Sequence, residues 1–228
     1  MTKSQDSVFT RIQSLPLFQG INQEELMRML ERTRFNFTTA EHGELIVEQG
    51  ASATQLVYVL NGKVTASRNY ASDFFIEESL EGPLLFQAED LFSASLTWHY
   101  TLRAETDVQL LLISKQDVVT HLMEFPTFRL SLLCFLGRTL EAKEYSLQDI
   151  TPKPLEASII HLWNNFMISK QGQKVIHIGM QSLASSLSTS RLTVSKCLNQ
   201  LQKKRLIKLG RKKILIPNFE DLVNKNWE

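Results

Sequence analysis

Cysteine is scarce: Cys134 and Cys197 are the only two in 228 residues. Two thiols cannot build the disulfide framework of a small secreted domain. Nor can they alone hold an iron–sulfur cluster, which takes about four thiolates. The nine glycines are so dispersed that no pair has Walker or Rossmann spacing, so a glycine-rich phosphate loop of either kind is excluded. The opening MTKSQDSVFTRIQ has no apolar signal core, and nowhere do about 18 apolar residues run together. The expectation is a soluble, cytoplasmic chain with no membrane partner. Catalytic Cys/His or Ser/His/Asp constellations and metal-ligand spacings are missing too, so an enzyme is the weakest reading and no metal site is expected. What is present, 43% hydrophobic and 21% charged residues, suits a globular chain of one large or two small domains.

Acid is missing from one long stretch. The net charge is +1, but residues 1–150 hold 12 Lys and Arg against 20 Asp and Glu, whereas residues 151–228 hold 13 against 4. The halves therefore carry −8 and +9. Between Glu156 and Glu220 there is no acidic residue, and nine cations from Arg191 to Lys213 fall within 23 residues. An acidic half joined to a basic half is what a regulator with one nucleic-acid-binding domain needs; a solvated basic face is the plainer alternative.

Along the chain the texture changes twice. Asn22, Glu25 and the stripe Leu26, Met29, Leu30 predict a capped helix. From 35 to 113 come short strand-like runs: ELIVEQ between Gly43 and Gly50, LVYVL, KVTASR, FFIEESL, GPLLF, TLRAET and VQLLLIS. Asn61-Gly62 between two such runs predicts a hairpin, and the set predicts a small barrel or sandwich. Pro126 opens a helix expected to reach about Leu147. Its Leu133, Leu136, Leu140 and Leu147 lie at 0, +3, +7 and +14, with Lys143 interrupting, as in a dimer seam; an ordinary core helix explains the same leucines. The two prolines of ITPKP, 150–154, mark the expected domain boundary. Beyond it the pattern predicts a helix over 155–168, a strand around VIHI, helices over 180–187 and 190–203, a two-stranded wing in IKLGRKKILIP and a last short helix after Asn218.

The pair of helices at 180–203 has the spacing of a helix-turn-helix. Leu183, Ala184 and Leu187 give the first its buried side; Val194, Cys197, Leu198 and Leu201, at 0, +3, +4 and +7, do so for the second. The turn position that usually carries glycine holds Ser188. Opposite the stripe stand Arg191, Leu192, Ser195, Lys196 and Asn199, so the helix can lie in a major groove with Arg and Lys donating to guanine and Asn pairing with adenine. Ser190 at the helix start and Arg211, Lys212 and Lys213 on the wing complete the expected DNA-binding set. Cys197 and Cys134 both read as small apolar core thiols.

Several stretches together resemble one family, the cyclic-AMP receptor and fumarate–nitrate regulator (CRP/FNR) superfamily of bacterial transcription factors. LPLF at 15–18, GELIVEQG at 43–50, LVYVLNGKV at 56–64, RAET at 103–106 and LLIS at 111–114 look like its double-stranded β-roll. SRLTVSKCLNQL at 190–201, with LI at 206–207 and the basic wing, looks like its winged helix. The resemblance implies an α+β chain of three parts: a β-roll sensor over 1–125, a dimerisation helix and hinge over 126–150, and a winged helix-turn-helix over 151–228. It also implies a homodimer with Leu133, Leu136 and Leu140 at the seam, an inverted-repeat double-stranded operator, and RNA polymerase as a partner.

Two departures qualify what is implied. Cyclic-AMP-binding members carry Gly-Glu-Leu and then Arg with Ser or Thr; here the stretch is FQAEDLFSASLTWHYTLRAET. Glu89 answers to the Glu, Ala88 stands near the Gly, and Thr97-Trp98-His99 falls where the Arg and hydroxyl belong. An unpaired buried phosphate charge is costly, so cyclic AMP is not expected. The effector region is Glu89, Trp98, His99 and Arg103, the effector itself is unknown, and Arg103 belongs to the matched RAET. None of His42, His99, His121, His161 and His177 has a motif that would make it an axial haem ligand. Members reading TGTGA-type half-sites show Arg-Glu-Thr-Val-x-Arg, whereas Leu192 here replaces the Glu, cannot accept from cytosine and can pack on a thymine methyl. The expected function is a homodimeric, sequence-specific regulator with an altered pocket; the alternative is a ligand-binding β-roll that acts through a protein partner.

Overall fold

The computed structural model describes residues 9–147 and 154–224. In chain order the elements are α1 (9–13), α2 (Gln23–Arg32), β1 (Asn36–Ala40), β2 (Leu45–Val47), β3 (Gln55–Asn61), β4 (Lys63–Ala71), β5 (Phe74–Glu81) and β6 (Leu84–Phe86). A 3-10 turn (Ala88–Phe92), β7 (Thr101–Ala104), β8 (Val108–Ser114), α3 (Lys115–Thr120) and the long α4 (Pro126–Leu147) follow. Then come α5 (Leu155–Asn164), β9 (Lys174–Ile178), α6 (Met180–Ser186), α7 (Arg191–Lys203), β10 (Lys208–Gly210), β11 (Lys213–Ile216) and α8 (Phe219–Asn224). They form two compact units. One comprises Met1–Val64, Glu81–His99 and Arg103–Ala142, the other Thr65–Leu80, Tyr100–Leu102 and Lys143–Glu228. The expected boundary at 150–154 lies, Pro154 apart, outside the described residues, as does the end of the expected hinge.

In the first unit Asn22 caps α2 as its sequence predicts, accepting from the Glu25 amide at 2.9 Å. The Glu25 carboxylate accepts a hydrogen bond from the Thr127 hydroxyl, tying α2 to the start of α4. An antiparallel sheet in the order β1-β8-β3-β6 stands beside these helices. Leu56 and Tyr58 of β3, Leu111 and Ile113 of β8, Leu26 and Met29 of α2 and Phe128 of α4 close the core around Phe18. Burying each such side chain contributes about 1.5–3 kcal/mol.

Asn61-Gly62 is a turn but not a hairpin. Gly62 has φ +98°, and a Cβ there would sit 2.6 Å from the Asp107 carbonyl, so only glycine fits. Strand β3 pairs with β8 and β6, however, while β4 lies between β5 and β7. The turn signal marks where the chain bends out of one sheet and into the other; it does not choose the strand's partner.

The second unit is a winged helix with an addition. Its strands run β10-β11-β9-β5-β4, and every described pair in this set is antiparallel. Its core joins Ile159 and Trp163 of α5, Ile176 of β9, Leu183 and Ala184 of α6, the α7 stripe, Ile214 and Phe219 to Ile76 of β5. The helix expected over 155–168 stops at Asn164, because the Ile168 and Ser169 amides turn to the Glu78 carboxylate instead. Among the described residues no helix is long and apolar enough to cross a membrane.

Candidate nucleic-acid interface and effector region

Helices α6 and α7 meet at a tight turn. Ser188 takes the left-handed conformation, φ +50°, at the position read as the usual glycine site, and Thr189 donates back to the Ala184 carbonyl at 3.0 Å. Ser190 then caps α7, its hydroxyl accepting from the Thr193 amide at 3.1 Å. Its side chain is therefore committed to starting the helix.

The two faces of α7 separate as their spacing requires. Val194, Cys197, Leu198 and Leu201 are buried. Arg191, Leu192, Lys196 and Asn199 are exposed and Ser195 is half-buried, with Leu192 66% exposed, a high value for an aliphatic side chain in no core. Burial raises the Cys197 thiol above its ordinary pKa, Glu156 adding to the rise and Lys204 opposing it. The helix ends on a left-handed Arg205, φ +60°: the Leu206 amide reaches the Leu201 carbonyl and the Arg205 amide the Gln202 carbonyl, a Schellman closure.

The wing is the pair Lys208↔Leu215, Leu209↔Ile214 and Gly210↔Lys213, with Arg211 and a left-handed Lys212, φ +55°, at its tip. Arg211, Lys212 and Lys213 are all exposed. Of the cations between Arg191 and Lys213, Lys204 is held by Glu156 at 2.7 Å. Among the described residues the other ion pairs of this unit engage Lys174 and His177, which leaves Arg191, Lys196 and the wing cations facing solvent. The unit thus presents a capped helix end and a cationic tip, both suited to a polyanion.

The expected effector residues have unequal surroundings. Trp98 is buried, its ring 6.1 Å from Phe86, and is part of the fold's interior. Arg103 is exposed and donates to the Gly43 carbonyl at 2.7 Å, the structural role that its place in RAET suggests. Glu89 is half-buried in the 3-10 turn. His99 has a buried acidic partner: Asp90, which the sequence reading passed over, accepts from the His99 amide at 2.8 Å, and its other oxygen lies 2.5 Å from His99 Nδ1. An acid two residues before the exposed Phe92 gives no sign in the sequence of being buried.

On α4, Leu133 and Leu140 are 66% and 68% exposed, and Leu130, which the sequence reading omitted, is 63% exposed. Leu136 is half-buried against its own unit's core. Cys134 is exposed, which corrects its reading as a core thiol: it stands one residue from Leu133 and two from the buried Leu132, on the solvent side of the helix.

Comparison with known proteins agrees with this geometry. A model of the cyclic nucleotide-binding domain matches residues 37–124, and a model of the Crp-like helix-turn-helix domain matches residues 158–224. No curated protein matches. Among solved structures, the catabolite activator protein of Thermus thermophilus is 22% identical, with 92% of this chain and 97% of that one covered, at a TM-score of 0.51. DNR from Pseudomonas aeruginosa is 20% identical over 98% of each chain, at 0.48. The c-di-GMP responsive regulator CLP of Xanthomonas campestris is 18% identical over 86% and 99%, also at 0.48. With a cyclic nucleotide-binding β-roll, the long helix α4 and a Crp-like helix-turn-helix in that order, the chain belongs to the CRP/FNR family of DNA-binding transcription regulators, which are not enzymes.

Proposed function

We propose that the protein is a homodimer that reads an inverted-repeat operator with α7 and responds to an effector other than cyclic AMP. The observation that carries the reading is the two-sided α7, with apolar side chains sealed on one face and Arg191, Leu192, Ser195, Lys196 and Asn199 displayed on the other. In this reading Arg191 and Lys196 donate to guanine edges, Asn199 pairs with adenine, and Leu192 packs on a thymine methyl. Arg211, Lys212 and Lys213 meet phosphate. The second copy docks along Leu130, Leu133 and Leu140, whose spacing of 0, +3 and +10 is that of a helix seam. Gly137, inside this stripe and with nothing within 4 Å of where a Cβ would be, leaves room for a close crossing.

Two features of the effector region support exclusion of cyclic AMP. Trp98 fills its position with indole, and the carboxylate of Asp90 is buried beside His99, so an entering phosphate meets an anion whose imidazole partner is already engaged. Selection from a pool of random duplexes tests the function. The expected product is an inverted repeat with half-sites about 34 Å apart, one turn of the duplex. Recovery of unrelated, asymmetric sequences would reject the reading.

A further inference from the structure

The strands Thr65–Leu80 interrupt the sequence of the first unit yet belong to the second. Strand β5 runs antiparallel to β9 over five positions, from Phe74↔Ile178 to Glu78↔Lys174, and so occupies the edge of β9 that β11 leaves open. Ile76 enters the same apolar core as Trp163, Leu198 and Ile214. At the far end of the register Lys174 and Glu78 form an ion pair at 2.8 Å with both side chains fully buried. The Glu78 carboxylate also accepts from the amides of Ile168, at 2.7 Å, and Ser169, at 3.2 Å. On the opposite face of the ladder Phe75 stacks on His177 at 3.8 Å, and Asp73 accepts from the Ser182 hydroxyl of α6. Tyr70 donates to the Phe166 carbonyl at 3.2 Å.

A hairpin that merely rested on the winged helix would not leave a lysine of that domain without water. If β5 withdrew, Lys174 would lose its counter-ion, the Ile168 and Ser169 amides would lose their acceptor and β9 would become a bare edge. We propose that the hairpin Thr65–Leu80 is a permanent part of the DNA-binding unit, locked by Glu78 and Lys174. This rests on the DNA-binding reading of that unit.

Two full-length variants test it. In Glu78→Ala, hydrogen exchange at Ile168, Ser169 and Val175–His177 should rise at least tenfold, and affinity for random duplex DNA at low salt should fall at least tenfold. The second is Phe75→Cys/His177→Cys in a Cys134→Ser/Cys197→Ala background, which pins the hairpin to β9 on oxidation. Oxidised and reduced protein should bind DNA within about twofold of each other. Unchanged exchange in Glu78→Ala, or DNA binding lost on oxidation and regained on reduction, would overturn the proposal. The exchange arm needs no DNA; if the parent protein bound no DNA at all, the DNA-binding reading would fail while the lock could still be judged. Should Glu78→Ala not fold, the oxidised pair still decides.

Discussion

Ser188 bears a conformational cost that glycine would not. A left-handed non-glycine residue costs of the order of 1–2 kcal/mol, and glycine gives back part of that gain through a freer unfolded chain. Ser188→Gly is therefore expected to stabilise the protein by about 0.5 kcal/mol, seen as a raised denaturation midpoint with DNA affinity unchanged. A lowered midpoint would mean that the serine side chain supports the turn. The position was legible in the sequence because the spacing of two helical stripes leaves one place for the turn. Asp90 was not legible, because its partner His99 stands nine residues on and the path of the chain between them brings the two together. The same holds for Glu78 and Lys174, 96 residues apart, which in sequence are one acid and one base among many.

At the scale of elements, the stripes of α2, α6 and α7 could be read directly, since a helix's neighbours in space are its neighbours at three and four residues. Strand pairing could not: Asn61-Gly62 announces a turn, yet β3 and β4 take different partners, and nothing local in β9 announces β5. Helix α4 shows the boundary between the two cases. Its leucines were visible, but which of them face the core depends on the helix's rotation against β3, β8 and α2. Neighbouring residues should now behave in opposite ways. Leu132→Ala, in the core, should cost about 2–5 kcal/mol of stability without altering assembly. Leu133→Asp, on the exposed stripe, should leave the fold near its original stability and convert dimer to monomer, because a charge would be sealed unpaired into the seam. Sedimentation combined with thermal unfolding checks both. Dimers of Leu133→Asp would place the interface elsewhere.

Across the whole molecule, three tyrosines, Tyr58 and Tyr100 buried and Tyr70 half-buried, set a limit in alkali. Burial raises the phenols of Tyr58, Tyr70 and Tyr100 above their ordinary value, Tyr100 adding to the rise at Tyr70. The folded chain keeps these protons where the unfolded chain releases them, near pH 10. Their contribution is therefore complete below about pH 10 and is lost as the pH rises beyond it. Stability measured in denaturant should fall above that pH, less steeply in Tyr58→Phe than in the parent. Equal slopes would show that Tyr58 does not contribute.

The molecule's purpose in this account is to tell one DNA sequence from another, through α7 and not through charge alone. Arg191 and Lys213 separate the two, since both are exposed cations of one unit but only Arg191 lies on the proposed reading face. The most direct measurement is a salt titration of Arg191→Ala and Lys213→Ala on the selected operator and on random duplex. Lys213→Ala should weaken both DNAs alike and reduce the salt slope by about one. Arg191→Ala should cost about 1–3 kcal/mol on the operator and much less on random DNA, with discrimination lost at one base pair per half-site. Identical behaviour of the two variants on both duplexes would contradict the account, leaving Arg191 as one more phosphate contact.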